Sequence, residues 1–163
     1  MATHTINKEE TARMVLSLLK AYYWLEGGVR EYVRSCGAPE FTRSQAMLMA
    51  NIILGYKYPA EIARQLDISR QAVHLVIQQM IAKNIVALQP DPNNRRIKQV
   101  VLTKLGLKMR NDGVMGMAIV TTELGKRIGK ANVNKLALLL NADWGPAPSV
   151  QGLTRKPSSK RPG

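Results

Sequence analysis

The chain has 163 residues, 45% of them hydrophobic and 21% charged, which fits a folded domain with a core and excludes wholesale disorder. Aromatic residues make up only 5%, with Phe41 the single Phe against eight Met, so the core is expected to be aliphatic and Met-filled. The charge is the outlier: 24 Lys and Arg against 11 Asp and Glu give +13, a balance that points to a polyanionic partner.

That excess is unevenly spread. Ten basic residues and three acids lie between Lys57 and Arg110, and four basic residues with no acid lie in 145–163. The longest apolar runs, such as Leu136 to Leu140, fall far short of the roughly 20 residues a membrane span needs. The stretch Met1-Ala2-Thr3-His4 does not lead from a basic into an apolar segment, so no secretory leader is expected and a cytoplasmic location is. Cys36, the single cysteine, excludes an internal disulfide and a multi-cysteine zinc site.

Lys8 to Arg34 reads as a first helix, with apolar residues recurring at Met14, Leu18, Tyr22 and Leu25. Gly27-Gly28 weakens it, and Cys36-Gly37-Ala38-Pro39 ends it. Thr42 is a good N-cap for a second helix, from Arg43 to about Leu54, with Gly55 at the usual helix-ending position. Pro59 suits the first position of a short amphipathic helix that ends at Leu66. Asp67-Ile68-Ser69 forms a three-residue turn, and Ser69 caps a helix from Arg70 to about Lys83. Val73, Val76 or Ile77, Met80 and Ile81 make the inward face of that helix, and Asn84 is suited to a left-handed cap. Two strands, Ile85–Gln89 and Ile97–Leu102, flank the turn from Pro90 to Arg96. Thr103 caps a long helix from Lys104 to about Ile128, bent near Asp112-Gly113, and a last helix runs from about Asn134 to Ala142. Residues 145–163 are rich in Pro, Gly and Ser and read as a disordered basic tail.

Two short helices, a three-residue turn and a hairpin are the pattern of a winged helix-turn-helix. The expected fold class is therefore mainly α, with a two-stranded β-hairpin wing.

Three stretches resemble the MarR family of bacterial transcription regulators. Glu61-Ile-Ala-Arg-Gln-Leu-Asp-Ile-Ser-Arg-Gln-Ala-Val73 looks like the family's helix-turn-helix. Asp91-Pro-Asn-Asn-Arg-Arg96 is similar to its wing motif D-P-x-D-R-R. Leu102-Thr-Lys-Leu-Gly106 is similar to the L-T-x-x-G that opens the helix after the wing. The resemblance implies an obligate homodimer held by its terminal helices. Residues 5–56 would dimerise and support, 57–103 bind DNA and 104–144 complete the dimer. Two departures stand out: the wing aspartate is Asn94, and an arginine often found early in the recognition helix is Leu75.

Arg70, Gln71 and His74 fall on the side of the recognition helix opposite Val73 and Ile77, with Gln78 one to two turns on. Gln can bond the N6/N7 edge of adenine and Arg the O6/N7 edge of guanine. Gln78, Arg43 at a helix start, and Lys98 beside the wing are expected near the phosphate backbone, and Ser69, which caps the recognition helix, is counted with the DNA-binding residues. Arg95 and Arg96 mark the hairpin tip, where an inserted arginine responds to the negative potential of a narrow minor groove. Asp91 is expected to hold the turn, by capping backbone or by pairing with an arginine, together with Asn94. Tyr22, Tyr23, Trp24, Met47 and Met49 form a candidate pocket for a small aromatic or apolar effector, although such stripes are more often plain core. Cys36 reads as an inert thiol rather than a redox switch.

No catalytic residues, metal ligands or cofactors are expected: the two histidines are His4 and His74, and no Gly-rich phosphate loop, G-x-S-x-G or H-E-x-x-H occurs. The expected function is a sequence-specific duplex-DNA-binding regulator, acting as a homodimeric repressor on a roughly palindromic operator, with no membrane partner. The rival readings are an architectural or nonspecific nucleic-acid binder, and an adaptor that kept the fold and lost DNA reading.

Overall fold

The computed structural model describes residues 8–146. The basic tail residues Arg155, Lys156, Lys160 and Arg161, and His4, lie outside the described residues. Six helices and one hairpin follow in order: α1 (Lys8–Ser35), α2 (Arg43–Ile53), α3 (Pro59–Leu66), α4 (Arg70–Ala82), β1 (Val86–Pro90), β2 (Lys98–Leu102), α5 (Lys104–Ile128) and α6 (Lys130–Leu140). They form two compact units that divide inside α5, between Glu123 and Leu124.

In the first unit the core gathers side chains from every layer. Leu48 of α2, Ile62 of α3, Val73, Ile77 and Met80 of α4, and Val100 of β2 are all nearly or fully buried. Val33 of α1 and Met109 of α5 join the same cluster. Buried aliphatic surface of this kind is the main favourable term, at about 25 cal/mol per Å² of apolar area removed from water. The hairpin is antiparallel, with Val86 opposite Leu102 and Pro90 opposite Lys98. A further bond from the Val100 amide to the Lys57 carbonyl, 2.8 Å, ties the segment before α3 to the wing.

Local chemistry explains the boundaries. Thr42 accepts from the Gln45 amide, and the Gln45 side chain accepts from the Thr42 amide, a reciprocal capping box. Gln45 is itself buried, and its amide nitrogen reaches Gln79 Oε1 at 3.1 Å, linking α2 to α4. Asp67 and Asn84 both adopt positive φ, the left-handed conformation that stops α3 and the chain after α4.

The L-T-x-x-G stretch has a steric basis. Thr103 Oγ1 donates to the Asn84 carbonyl at 2.5 Å, with the Ile85 carbonyl 3.1 Å away, and accepts from the Gly106 amide at 3.1 Å. A Cβ on Gly106 would sit 2.2 Å from the Ile85 carbonyl oxygen, so α5 can leave the hairpin this closely only from a glycine. Gly28 plays a similar part in α1, where a Cβ would meet Val120 of α5 at 2.8 Å. α1 runs through Gly27-Gly28 without interruption.

The strands and the last helix differ in their bounds from the sequence reading. The strands are Val86–Pro90 and Lys98–Leu102, each starting one residue later than expected, because Ile85 and Ile97 serve the turns that flank them. In the second unit the last helix starts at Lys130 and ends at Leu140, not at Asn134 and Ala142. Gly129, at φ 91°, breaks the chain there, and a new helix begins at once.

Candidate nucleic-acid interface

The recognition helix α4 has two opposed faces. Val73, Ile77 and Met80 are buried against α2, α3 and the hairpin. Gln71, His74, Leu75 and Gln78, spaced i, i+3, i+4 and i+7, form an exposed stripe on the other side. Burial of the first stripe therefore dictates presentation of the second.

Ser69 holds the start of the helix, its Oγ accepting from the Ala72 amide at 3.1 Å. It satisfies one of the amides that a helix N-terminus leaves open. The Gln78 amide nitrogen lies 3.5 Å from His74 Nε2, a contact that an unprotonated ring nitrogen accepts. Beside the stripe opens a concavity of about 680 Å³, lined by Tyr58, Pro59, Ala60, Arg70, Gln71, His74, Leu75, Gln78, Ile97 and Lys98. Five of the sequence-predicted residues thus meet on one surface: Arg70, Gln71, His74, Gln78 and Lys98.

The wing turn is built on Asp91, which is buried. Its Oδ1 accepts from the Asn93 and Asn94 amides at 2.8 and 3.0 Å, and its Oδ2 accepts from the Tyr58 hydroxyl. The Tyr58 bond, followed by the backbone amides, holds the Asp91 carboxyl below the usual carboxylate range, and the same bond pushes the Tyr58 phenol up. Of the two roles foreseen for Asp91, backbone capping is the one observed. Asn94 Oδ1 accepts from the Arg96 backbone amide at 3.2 Å, so its bond goes to the main chain and not to the guanidinium. The turn closes through Asp91 N to Ile97 O, 2.8 Å, and Ile97 N to Asn94 O, 2.9 Å. Arg95 and Arg96 stand exposed at its tip.

Arg43 is engaged elsewhere. Its Nε bonds Glu26 at 3.1 Å, and its guanidinium lies 4.2 Å from the Tyr23 ring centroid. Glu26, only 10% exposed, also holds Arg30 at 2.9 Å. This places Arg43 in a network between α1 and α2 rather than on the α4 surface.

A second cavity of about 440 Å³ lies between α1, α2 and α5. Tyr22 and Met49 line it as expected, whereas Tyr23, Trp24 and Met47 do not. Leu25, Val29, Phe41, Ile53, Met109 and Met117 complete its apolar wall. Residues from α5 enter it only because the long helix returns past α1, which no local spacing reveals. Tyr58 carries no local signal for the same reason: its partner Asp91 is 33 residues away. Among the described residues no group of three or more His, Cys, Asp or Glu is placed to hold a metal, and no helix is long and apolar enough to cross a membrane.

The fold and this surface define a winged helix-turn-helix protein. Residues 41–97 match the model of the MarR family, a span of about a third of the chain from α2 into the wing turn. Solved structures agree at the level of fold. MarR from E. coli in its apo form is 21% identical, with a TM-score of 0.59, over 84% of this chain and 96% of that one. A transcriptional regulator from Thermotoga maritima is 19% identical, with a TM-score of 0.58, over 82% and 90%. A protein from Mycobacterium tuberculosis is 16% identical, with a TM-score of 0.64, over 86% and 94%. No curated protein matches the sequence. Two of the three motifs, Glu61–Val73 and Asp91–Arg96, fall inside the matched span, and Leu102–Gly106 lies beyond it. The chain is thus similar to the MarR family over 41–97 and shares the fold of these solved structures.

Proposed function

We propose that this protein is a transcription regulator that binds duplex DNA by sequence, as a homodimer, and represses by occupying a roughly palindromic operator. The observation that carries the reading is the exposed stripe on α4 beside Lys98 of the wing, held outward by a fully buried opposite face. An α-helix fits the major groove, where amide and guanidinium groups distinguish base pairs. Arg96 is assigned to the flanking minor groove, with Arg95 and Lys98 adding phosphate contacts. Support for the homodimer comes from the apolar side chains left open on α1, and the terminal helices are its assigned interface. In the family's regulators two such units reach successive grooves, so half-sites should lie about 34 Å apart. The protein is assigned to the cytoplasm, where such DNA is found.

The α1–α2–α5 cavity supports an effector site for a small apolar or aromatic molecule, with Tyr22 and Met49 in its wall. It lies beside the helices assigned to dimerisation, so a ligand there is placed to alter half-site spacing.

The test is selection of bound duplexes from a randomised pool at about 150 mM salt, where the Debye length is roughly 8 Å and diffuse attraction is damped. A palindromic motif with half-sites one turn apart is the expected result. Bound DNA with no motif would replace this reading with the architectural one, and no bound DNA with the adaptor.

A further inference from the structure

Leu75 is the anomaly of the recognition surface. It sits at the centre of the exposed α4 stripe, flanked by Gln71, His74 and Gln78, and is 61% exposed. A single exposed leucine needs no explanation. This one is not single. Ile97, at the foot of β2 and 46% exposed, lines the same concavity, as do Pro59 and Ala60 of α3. Three separate segments thus contribute apolar surface to one hollow, on the face where polar readers are concentrated.

We infer that Leu75, backed by Ile97, is a specificity-determining residue that reads the C5-methyl group of a thymine. The argument rests on the DNA-binding reading and then on what a major groove offers. Its edges present hydrogen-bond donors and acceptors, and the one apolar group among them is the thymine methyl. An apolar side chain in the middle of a groove-reading stripe gains nothing against phosphates, guanine or cytosine, and covers polar edges at a cost. Against a thymine it buries a methyl. Gln71 and Gln78 lie one turn to either side of Leu75, so the carboxamides that suit adenine N6 and N7 bracket the methyl-reading position. The half-site is accordingly expected to contain a thymine next to adenines on either strand.

The test uses the full chain and the duplex recovered by selection. Each thymine of the half-site is replaced in turn by deoxyuridine, which removes the methyl and keeps every hydrogen-bonding group. Affinity for the wild-type protein should fall about fourfold per methyl at one position of each half-site, the size expected for one buried carbon, and stay level at the others. Leu75→Ala should bind the thymine duplex more weakly and no longer distinguish thymine from uracil at that position. Leu75 is exposed, so the variant should melt with the wild type, and the deoxyuridine series on the wild-type protein stands without it. Two outcomes would overturn the inference while leaving DNA reading intact: a selected motif in which no thymine is sensitive to loss of its methyl, or a sensitivity that persists in Leu75→Ala. Failure to select any motif would overturn the DNA reading itself, and this inference with it.

Discussion

The winged unit and the first half of α1 are built from similar apolar residues and end in opposite states. In the winged unit Ile62, Val73, Ile77 and Ile85 have no exposed surface at all. Its buried polar groups are answered as well, and no buried side-chain nitrogen or oxygen among the described residues lacks a partner. In α1, by contrast, Met14, Val15, Leu16 and Leu19 all stand open, Val15 to 70%. In the second unit, α6 contains no buried residue, although it carries Leu136, Leu138, Leu139 and Leu140. The winged unit is finished by its own chain. The terminal helices keep apolar surface that water disfavours until something covers it, which is the physical content of the homodimer reading.

The strongest way to test that contrast is to damage the finished part. Ile77→Ala leaves a hole beneath the recognition helix and should cost about 2–5 kcal/mol in urea unfolding. Gly106→Ala forces a Cβ against the Ile85 carbonyl and should cost about 1–3 kcal/mol or more by the same measurement. A loss under 0.5 kcal/mol from either would show that the core is not closed as described.

The unfinished part should respond differently. Leu16→Glu on α1 changes an exposed side chain, so a monomer would barely notice it. At a dimer interface the same change should weaken association by about 2 kcal/mol and shift the sedimentation profile toward monomer. An unchanged profile would assign the open face to another role.

An effect of similar size is expected at the wing. Arg96→Ala should cost about 1–3 kcal/mol of operator affinity at 150 mM salt, well beyond removal of residues 145–163. Equal losses from the two would remove the wing from the list of DNA readers.

The smallest effect is a titration. Asp91 has its carboxyl held below the ordinary range by Tyr58 and the turn amides, so its contribution to wing order is complete above the unfolded value of about 3.9. That contribution is lost as pH falls through the lower folded value. Tyr58 runs the other way: its contribution is present below about pH 10 and lost as pH rises through its raised folded value. The amide resonances of Asn93 and Asn94 should report the acid transition with a midpoint below 3.9, and Asp91→Asn should abolish it.

Much of this was legible from residue order. The caps at Thr42 and Ser69, the left-handed Asn84 and the Asp91 turn are local chemistry, settled within three or four residues. The α4 stripe was legible for the same reason, since helical spacing alone separates Gln71, His74 and Gln78 from Val73 and Ile77. What escaped depended on distance along the chain. The pairing of Arg43 with Glu26 and its stacking on Tyr23 have no local signal, because both partners belong to another helix. Three of the five expected pocket residues missed the cavity, since the consecutive Tyr22, Tyr23 and Trp24 point to different sides of α1, and α5 supplies wall residues that no local spacing reveals. The last helix starts four residues before its apolar spacing suggests, because Gly129 breaks the chain there.

By itself, then, the order of residues determined the helix-turn-helix, the wing and which face of α4 looks outward, because each follows from periodicity, capping and turn preference over a few residues. Only the tertiary structure decided that Gly106 must be a glycine, that Tyr58 locks the wing through Asp91, and that Leu75 and Ile97 share one hollow. Those facts join residues that are far apart in sequence, and such contacts arise only when packing brings their elements together.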